Sequence, residues 1–201
     1  MIRILLADDQ ALVRGALAAL LGLEADIEVA AEVGRGDEVV DAALAAGADV
    51  CLLDVEMPGG DGIAAAAALR ERAPGIRSII VTTFGRPGYV RRALEAGASG
   101  FVVKDTPSAE LAEAVRRVHR GERVIDPALA TESLLDGASP LTDRERDVLR
   151  ASLDGGTVAQ VAAAVHLSAG TVRNYASAAI AKTGAATRSE AARIARDRGW
   201  L

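Results

Sequence analysis

The sequence predicts an α/β domain, built on a doubly wound parallel sheet of five strands, followed by a small all-α domain. Strand patterns alternate with helical patterns up to residue 121, whereas residues 139–201 contain only helical patterns. The charge also changes sign: Lys and Arg number 14 against 22 Asp and Glu in residues 1–138, and 9 against 6 in residues 139–201. These parts carry −8 and +3, which give the net −5 of the chain. Only the second part is therefore expected to approach a polyanion.

Five consecutive strand–helix units make up the first part. The strands are predicted at residues 2–7, 27–33, 48–54, 78–82 and 100–103, and the helices at 10–21, 37–46, 63–72, 87–96 and 108–120. In the first helix, Val13 and Leu17 recur at helical spacing. Pro74 interrupts the chain before the fourth strand. Thr106 and Pro107 are predicted as the N-cap and the first residue of the fifth helix.

The second part begins after a predicted linker at residues 122–138, which has no sustained periodicity. Four short helices are predicted beyond it, at residues 142–154, 157–165, 169–181 and 188–198. Two of these helices begin with the capping-box pattern, formed by Thr142 with Glu145 and by Thr187 with Glu190. The predicted domains are therefore residues 1–121 and residues 139–201.

Composition predicts a cytoplasmic protein without membrane insertion. No apolar run approaches the roughly 20 residues that a membrane-spanning helix needs, and the chain does not begin with a signal-peptide pattern. A single cysteine, Cys51, excludes a disulfide framework and favours a reducing compartment. Aromatic residues make up only 2% of the chain, so little surface is available for stacking on bases.

Polar residues end four of the five predicted strands. Asp8 and Asp9 follow the first strand, Asp54 ends the third, and Thr82 and Lys104 end the fourth and fifth. Because the carboxyl ends of parallel strands converge on one crevice, these side chains are expected to meet. Each residue alone also fits a plain structural role, such as a helix cap or a strand end. As a set, they predict a site for a magnesium ion and a phosphoryl group.

Each residue of this predicted site has a chemical role. Asp54 is the expected nucleophile, since a carboxylate that attacks a phosphoryl donor forms an acyl phosphate. Magnesium prefers oxygen ligands. Its predicted ligands are Asp8, Asp9, Asp54 and the backbone carbonyl of Glu56. Lys104 is expected to pair with Asp54 and then with the phosphoryl group, to which Thr82 donates a hydrogen bond.

Residues 1–121 resemble the receiver domain of two-component systems. The matching positions are Asp8, Asp9, Asp54, Thr82, Phe101, Lys104 and the turn at residues 57–62. The resemblance implies that a histidine kinase phosphorylates Asp54, after which Thr82 moves toward the phosphate and Phe101 turns inward. It also places Glu56 and Phe84 beside the attacking water, and bulky Phe84 is predicted to slow hydrolysis. Slow self-dephosphorylation is the only turnover expected, and the Lys104–Asp105 peptide bond is left open between cis and trans.

Residues 139–201 resemble the LuxR-type helix-turn-helix domain. The matching segments are Leu141 to Leu149, Val161-Ala162, Leu167-Ser168 and Thr171 to Tyr175. The whole chain is thus similar to response regulators of the NarL/FixJ group, and within it to the DesR-like branch. The resemblance places the helix at 169–181 in the major groove. Arg173, Asn174 and Ser177 are then expected to contact bases, and Thr171, Tyr175 and Lys182 phosphates.

The combined expectation is a transcription regulator that dimerises on phosphorylation and binds double-stranded DNA. The dimer face is left open between the first and fifth helices and the fourth and fifth. Few cations on the predicted recognition helix imply weak binding by one subunit, so dimerisation matters more. A phosphatase of the haloacid dehalogenase type is disfavoured, because it needs Asp-x-Asp where this chain has Asp8-Asp9. A regulator that binds DNA without phosphorylation, and a helical bundle without a DNA role, remain alternatives.

Overall fold

The structure, a computed structural model, describes residues 1–83, 87–125, 139–153 and 155–201. By its internal contacts the chain divides into two compact units. The first unit contains a parallel sheet, and the regular elements among the described residues of the second unit are all helices. Most of the predicted linker, residues 126–138, lies outside the described residues, so the exact domain limits stay a prediction.

The sheet confirms the predicted doubly wound fold. Its strands are β1 (Ile2–Ala7), β2 (Ile27–Val33), β3 (Val50–Asp54), β4 (Arg77–Thr82), β5 (Gly100–Val103) and β6 (Val124–Ile125). All neighbouring pairs are parallel, in the order β2-β1-β3-β4-β5-β6. The order reverses between β1 and β3, so the crevice beyond their carboxyl ends is the expected ligand site.

The predicted number of strands was wrong, since the described residues form a sheet of six strands and not five. β6 falls within the predicted linker and pairs with β5 through Gly100 and Val124. The side chain of Val124 also packs against the main core. A strand of two residues has no periodicity to detect in the sequence, because only its tertiary pairing defines it.

Five described helices follow the first five strands in alternation. They are α1 (Ala11–Leu21), α2 (Val39–Ala46), α3 (Gly62–Arg72), α4 (Pro87–Ala96) and α5 (Ser108–His119). A 3₁₀ turn at Gly36–Glu38 precedes α2, so the predicted start of that helix is split. The predicted cap of α5 was wrong: Pro107 is the N-cap, and no side chain caps the helix. The Thr106 N–H instead donates to the Val103 carbonyl, in a turn that directly follows β5.

The second unit contains four described helices, as predicted. They are α6 (Asp143–Arg150), α7 (Val158–Ala164), α8 (Ala169–Thr183) and α9 (Arg188–Asp197). The capping box of Thr142 and Glu145 is confirmed, with both reciprocal bonds formed. At α9, the Thr187 hydroxyl accepts from the Glu190 N–H, but the Glu190 carboxylate accepts from Ala186 and not from Thr187. Within the described residues, no helix is long and apolar enough to cross a membrane.

Candidate functional site

Three carboxylates converge where the strand order reverses. Asp54 ends β3 and Asp8 follows β1, and these two strands are neighbours through Ala7 and Leu53. One carboxylate oxygen from each of Asp8, Asp9 and Asp54 lies within 4.8 Å of the others. Asp8 and Asp54 are buried, whereas Asp9 is exposed at the mouth of the pocket. Parallel topology thus brings together residues that are far apart in the sequence.

The Lys104 ammonium bridges two of these carboxylates. Its Nζ lies 2.7 Å from Asp8 Oδ2 and 3.2 Å from Asp54 Oδ1. The Lys104 N–H donates to the Thr82 carbonyl at 2.7 Å, which fixes the residue at the end of β5. From the sequence, contact was predicted with Asp54 alone, because the contact with Asp8 depends on the register of β1, β3 and β5. Three carboxylates and one ammonium leave the pocket with two excess negative charges, which suits a divalent cation.

Burial governs the ionisation of this pocket. It raises the pKa of Asp54 to about 6, since the nearby Lys104 charge lowers that pKa only in part and the Asp8 charge raises it further. Burial opposes the charge of Lys104 too, but its hydrogen bond to Asp8 and the charge of Asp54 raise its pKa overall. The Asp54 Oδ1 atom also accepts a hydrogen bond from the Val55 N–H at 2.9 Å. At neutral pH the pocket therefore presents an ionised, oriented carboxylate.

The turn after Asp54 is shaped by glycines. A Cβ on Gly62 would lie 2.0 Å from the Asp54 carbonyl oxygen, so only glycine fits there. Gly59 has a φ of 78° and Gly60 of 141°, which glycine adopts at low cost. Asp61 then caps α3 by accepting from the Ala64 N–H at 2.6 Å. Close backbone approach therefore explains Gly62, positive φ angles explain Gly59 and Gly60, and helix capping explains Asp61.

The remaining predicted residues of the pocket occupy different environments. Thr82 is buried at the end of β4, and Phe101 is fully buried in β5. Glu56 is exposed two residues after Asp54, and the role of its backbone carbonyl stays a prediction. Phe84 lies outside the described residues, so its effect on hydrolysis also stays a prediction. The described residues contain no cis peptide bond, and the Lys104–Asp105 bond is trans.

The helix α8 has one buried and one exposed face. Val172, Ala176 and Ala179 are buried against the other helices. On the opposite face, three of the predicted DNA contacts are exposed, namely Arg173, Asn174 and Ser177. Their spacing of one, three and four residues along a helix puts them on one surface. The helix thus presents a guanidinium, an amide and a hydroxyl, which are groups that read base edges.

The other three predicted DNA contacts have partners within the protein. The Thr171 hydroxyl lies 2.8 Å from that of Ser168, the N-cap of α8. Tyr175 is partly buried against the core around Val148. The Lys182 ammonium donates to both carboxylate oxygens of Glu145, at 2.8 and 2.7 Å. The spacing along α8 indicates that Lys182 lies near the protein interior, because it follows buried Ala179 by three residues and so lies beside the buried face of the helix.

An acid pocket at the switch point of a parallel sheet, in one chain with a unit of short capped helices, is the arrangement expected of a two-domain regulator. Two family models match the chain in that order. Residues 4–116 match the response regulator receiver domain, and residues 139–195 match the bacterial regulatory proteins of the luxR family. The chain therefore belongs to the two-component response regulators with a LuxR-type DNA-binding domain, which regulate transcription.

Known proteins resemble this chain over its full length. The transcriptional regulatory protein DesR of Bacillus subtilis is 44% identical over 201 residues, covering 100% of both chains. The DNA-binding transcriptional activator DevR/DosR of Mycobacterium tuberculosis is 38% identical, covering 96% of this chain and 93% of its own. The crystal structure of the response regulator ChrA, from a heme-sensing two-component system, has a TM-score of 0.60 at 32% identity and covers 100% of this chain and 98% of its own. The predicted family is thus confirmed, and DesR is among the proteins that this chain resembles.

Proposed function

We propose that a histidine kinase phosphorylates Asp54 and that the phosphorylated protein dimerises, binds a specific DNA site and controls transcription in the cytoplasm. The observation that carries this proposal is the convergence of Asp8, Asp9 and Asp54 within 4.8 Å. Their excess negative charge fits Mg²⁺, held by these carboxylates and by the Glu56 backbone carbonyl. Bound there, Mg²⁺ supplies positive charge to the phosphoryl oxygens during transfer.

Asp54 acts as the nucleophile in this proposal. One of its carboxylate oxygens forms a bond to phosphorus while the bond between phosphorus and the kinase imidazole nitrogen breaks. The electron pair of the broken bond stays on the imidazole. Lys104, 3.2 Å from Asp54, supplies positive charge beside the new phosphoryl group. Thr82, at the end of β4, donates a hydrogen bond from its hydroxyl to a phosphoryl oxygen. Water later hydrolyses the acyl phosphate slowly, which is the only turnover we expect.

The exposed face of α1 favours one of the two dimer surfaces. Leu12 is 87% exposed and Leu20 44% exposed, and Leu23 just beyond the helix is 82% exposed. The other exposed positions of α1 carry only alanine or glycine. In contrast, exposed positions of α5 include Glu110 and Glu113. A contiguous apolar surface is typical of an interface, and a twofold dimer brings the same surface of both subunits together. We therefore propose that α1 contributes most of the dimer contact.

Intact mass after incubation with Mg²⁺ and acetyl phosphate tests the phosphoacceptor directly. We expect one added phosphoryl group on the wild type and none on Asp54→Asn. Asp41→Asn is a matched control, because Asp41 is an exposed carboxylate on α2 that pairs with Arg72, and it should be phosphorylated normally. The phosphorylated protein should also elute as a dimer and bind DNA more tightly. A folded wild type that gains no phosphoryl group with Mg²⁺ present would contradict the proposal.

A further inference from the structure

An ion pair between a partly exposed lysine and a buried carboxylate joins two helices of the helical unit. The Glu145 side chain is 5% exposed, and both of its oxygens accept from the Lys182 ammonium. One of them, Oε2, also accepts from the Thr142 N–H at 2.7 Å. The Lys182 side chain is 35% exposed, and its ammonium pairs with the Glu145 carboxylate. Both carboxylate oxygens of Glu145 therefore have hydrogen-bond partners within the unit.

The pair lies at the far end of the helix that faces DNA. Glu145 is the third residue of α6, and Lys182 lies in the last turn of α8. Gly184 ends α8 directly afterwards with a φ of 70°. At the other end of α8, the Ser168 hydroxyl accepts from the Thr171 N–H at 3.1 Å. That bond is internal to α8, so of these two polar contacts only the one between Lys182 and Glu145 joins the helix that carries Arg173 to another helix.

We infer that Lys182 is a positioning residue, which fixes α8 against α6 through Glu145, and that it does not bind a DNA phosphate. This inference rests on the proposed DNA-binding function of α8. A phosphate contact would draw the ammonium away from a buried carboxylate, and an unpaired buried charge is strongly unfavourable. Release of condensed counterions from DNA also requires cations that the protein does not already neutralise. The charge of Lys182 is already matched, one to one, by that of Glu145.

A double-variant experiment separates positioning from phosphate binding. The probe is a DNA duplex enriched from a random-sequence pool by the wild-type protein, and affinity is measured at several salt concentrations. Lys182→Met leaves Glu145 charged and unpaired, and we expect it to weaken binding by about tenfold or more. Adding Glu145→Gln removes that charge and keeps an acceptor for the Thr142 N–H. The double variant should recover to within about threefold of the wild type.

The salt dependence of binding distinguishes the two roles of Lys182. A lost phosphate contact lowers the slope of log K against log salt by about 0.9. If Lys182 positions α8, the slope of log K against log salt should be unchanged in the double variant. Lys182→Arg retains the ion pair, so its affinity for the duplex should be near normal. A slope reduced by about one unit in the double variant, without recovery of affinity, would overturn the inference.

Thermal unfolding tests the positioning role without DNA. Trp200 is the chain's single tryptophan and is buried in the helical unit, so its fluorescence reports unfolding of that unit. Lys182→Met should lower the midpoint clearly, and the double variant should restore most of the loss. An unchanged midpoint in Lys182→Met would refute the inference even if the wild type enriched no duplex. A wild type that enriches no duplex would count against the proposed DNA-binding function and not against the positioning role of Lys182.

Discussion

Two lysines contact buried carboxylates in this chain, and they differ in charge balance. Lys104 in the acid pocket lies beside Asp8 and Asp54, with Asp9 near by, so the pocket keeps an excess of negative charge. Lys182 in the helical unit neutralises Glu145 alone. A buried carboxylate that is matched by one ammonium needs no ligand, whereas a set with excess negative charge gains from binding a cation. The comparison indicates that charge excess, and not burial alone, marks the ligand site.

The largest expected effect tests how rigidly the backbone holds the acid pocket. Gly62→Ala would place a Cβ 2.0 Å from the Asp54 carbonyl oxygen, so the strand end or the turn must move. We expect a loss of about 4 kcal/mol in the unfolding free energy of the first unit, and loss of phosphorylation. Urea unfolding and intact mass measure the two effects.

Gly75→Ala is the matched control for Gly62→Ala. Gly75 lies in the turn before β4, and a Cβ there would meet no atom within 4 Å. We expect a change below about 0.5 kcal/mol and normal phosphorylation. Equal effects of the two substitutions would show that the turn adapts, and would remove the argument that Gly62 sets the position of Asp54.

The next prediction contrasts the pH dependence of the two regions. The pKa of Asp54 is raised to about 6, so its contribution to stability is fully present below about pH 4 and is lost as the pH rises through about 6. Without metal, Asp54→Asn should therefore exceed the wild type in unfolding free energy at pH 7.5 by about 2–3 kcal/mol. The difference should vanish near pH 4. Urea unfolding, followed by circular dichroism at a series of pH values, measures this difference. A difference that does not change with pH would contradict the raised pKa of Asp54.

Glu145 should show the opposite sign. Burial opposes its charge, but hydrogen bonds from Lys182 and Thr142 lower its pKa overall. Its contribution to stability is therefore present above its ordinary pKa of 4.5 and is lost as the pH falls through the lowered value. Glu145→Gln should thus be less stable than the wild type at neutral pH, measured by Trp200 fluorescence. A more stable Glu145→Gln would place this pair in the same class as the acid pocket.

The acid pocket was predictable from the sequence because its residues end strands. Parallel topology alone brings Asp8, Asp54 and Lys104 to one edge of the sheet, so their spacing in the sequence does not matter. What the strand pattern lacked was register, which decides that Lys104 contacts Asp8 at 2.7 Å. The short strand β6 was missed for a related reason, since only pairing defines it.

The helical unit was predictable in its elements but less so in the roles of side chains. Capping residues and periodicity located the helices, and the exposed face with Arg173 followed from the same periodicity. The partner of Lys182 is Glu145 on another helix, and no local pattern connects residues that are so distant in the sequence. Local rules therefore identify surfaces, while cross-helix contacts need the packed structure.

A smaller effect tests whether the switch in the pocket acts through α1. Leu12→Glu puts a charge on the apolar face of α1, and a twofold dimer would bury that charge twice. We expect the phosphorylated dimer to dissociate about 30-fold more readily, which is about 2 kcal/mol. Phosphorylation itself should be unchanged. Sedimentation equilibrium of the phosphorylated protein provides the measurement.

Leu44→Glu is the control for this surface. Leu44 is 50% exposed, but it lies on α2 and not on α1. We expect its phosphorylated form to dimerise like the wild type. If Leu12→Glu dimerises normally as well, the dimer uses another surface, and the fourth and fifth helices become the alternative.

The smallest effect tests the exposed side of the helical unit. Arg173 is exposed on α8, and Arg173→Gln removes a guanidinium that can bond guanine in the major groove. We expect about tenfold weaker binding to the enriched duplex and weaker preference for it over random DNA. Arg193→Gln is the matched control, because Arg193 is exposed on α9 and pairs with Asp197 at 3.5 Å. Its binding should stay within about twofold of the wild type. Equal losses for both would mean that overall charge, and not the face of α8, determines DNA binding.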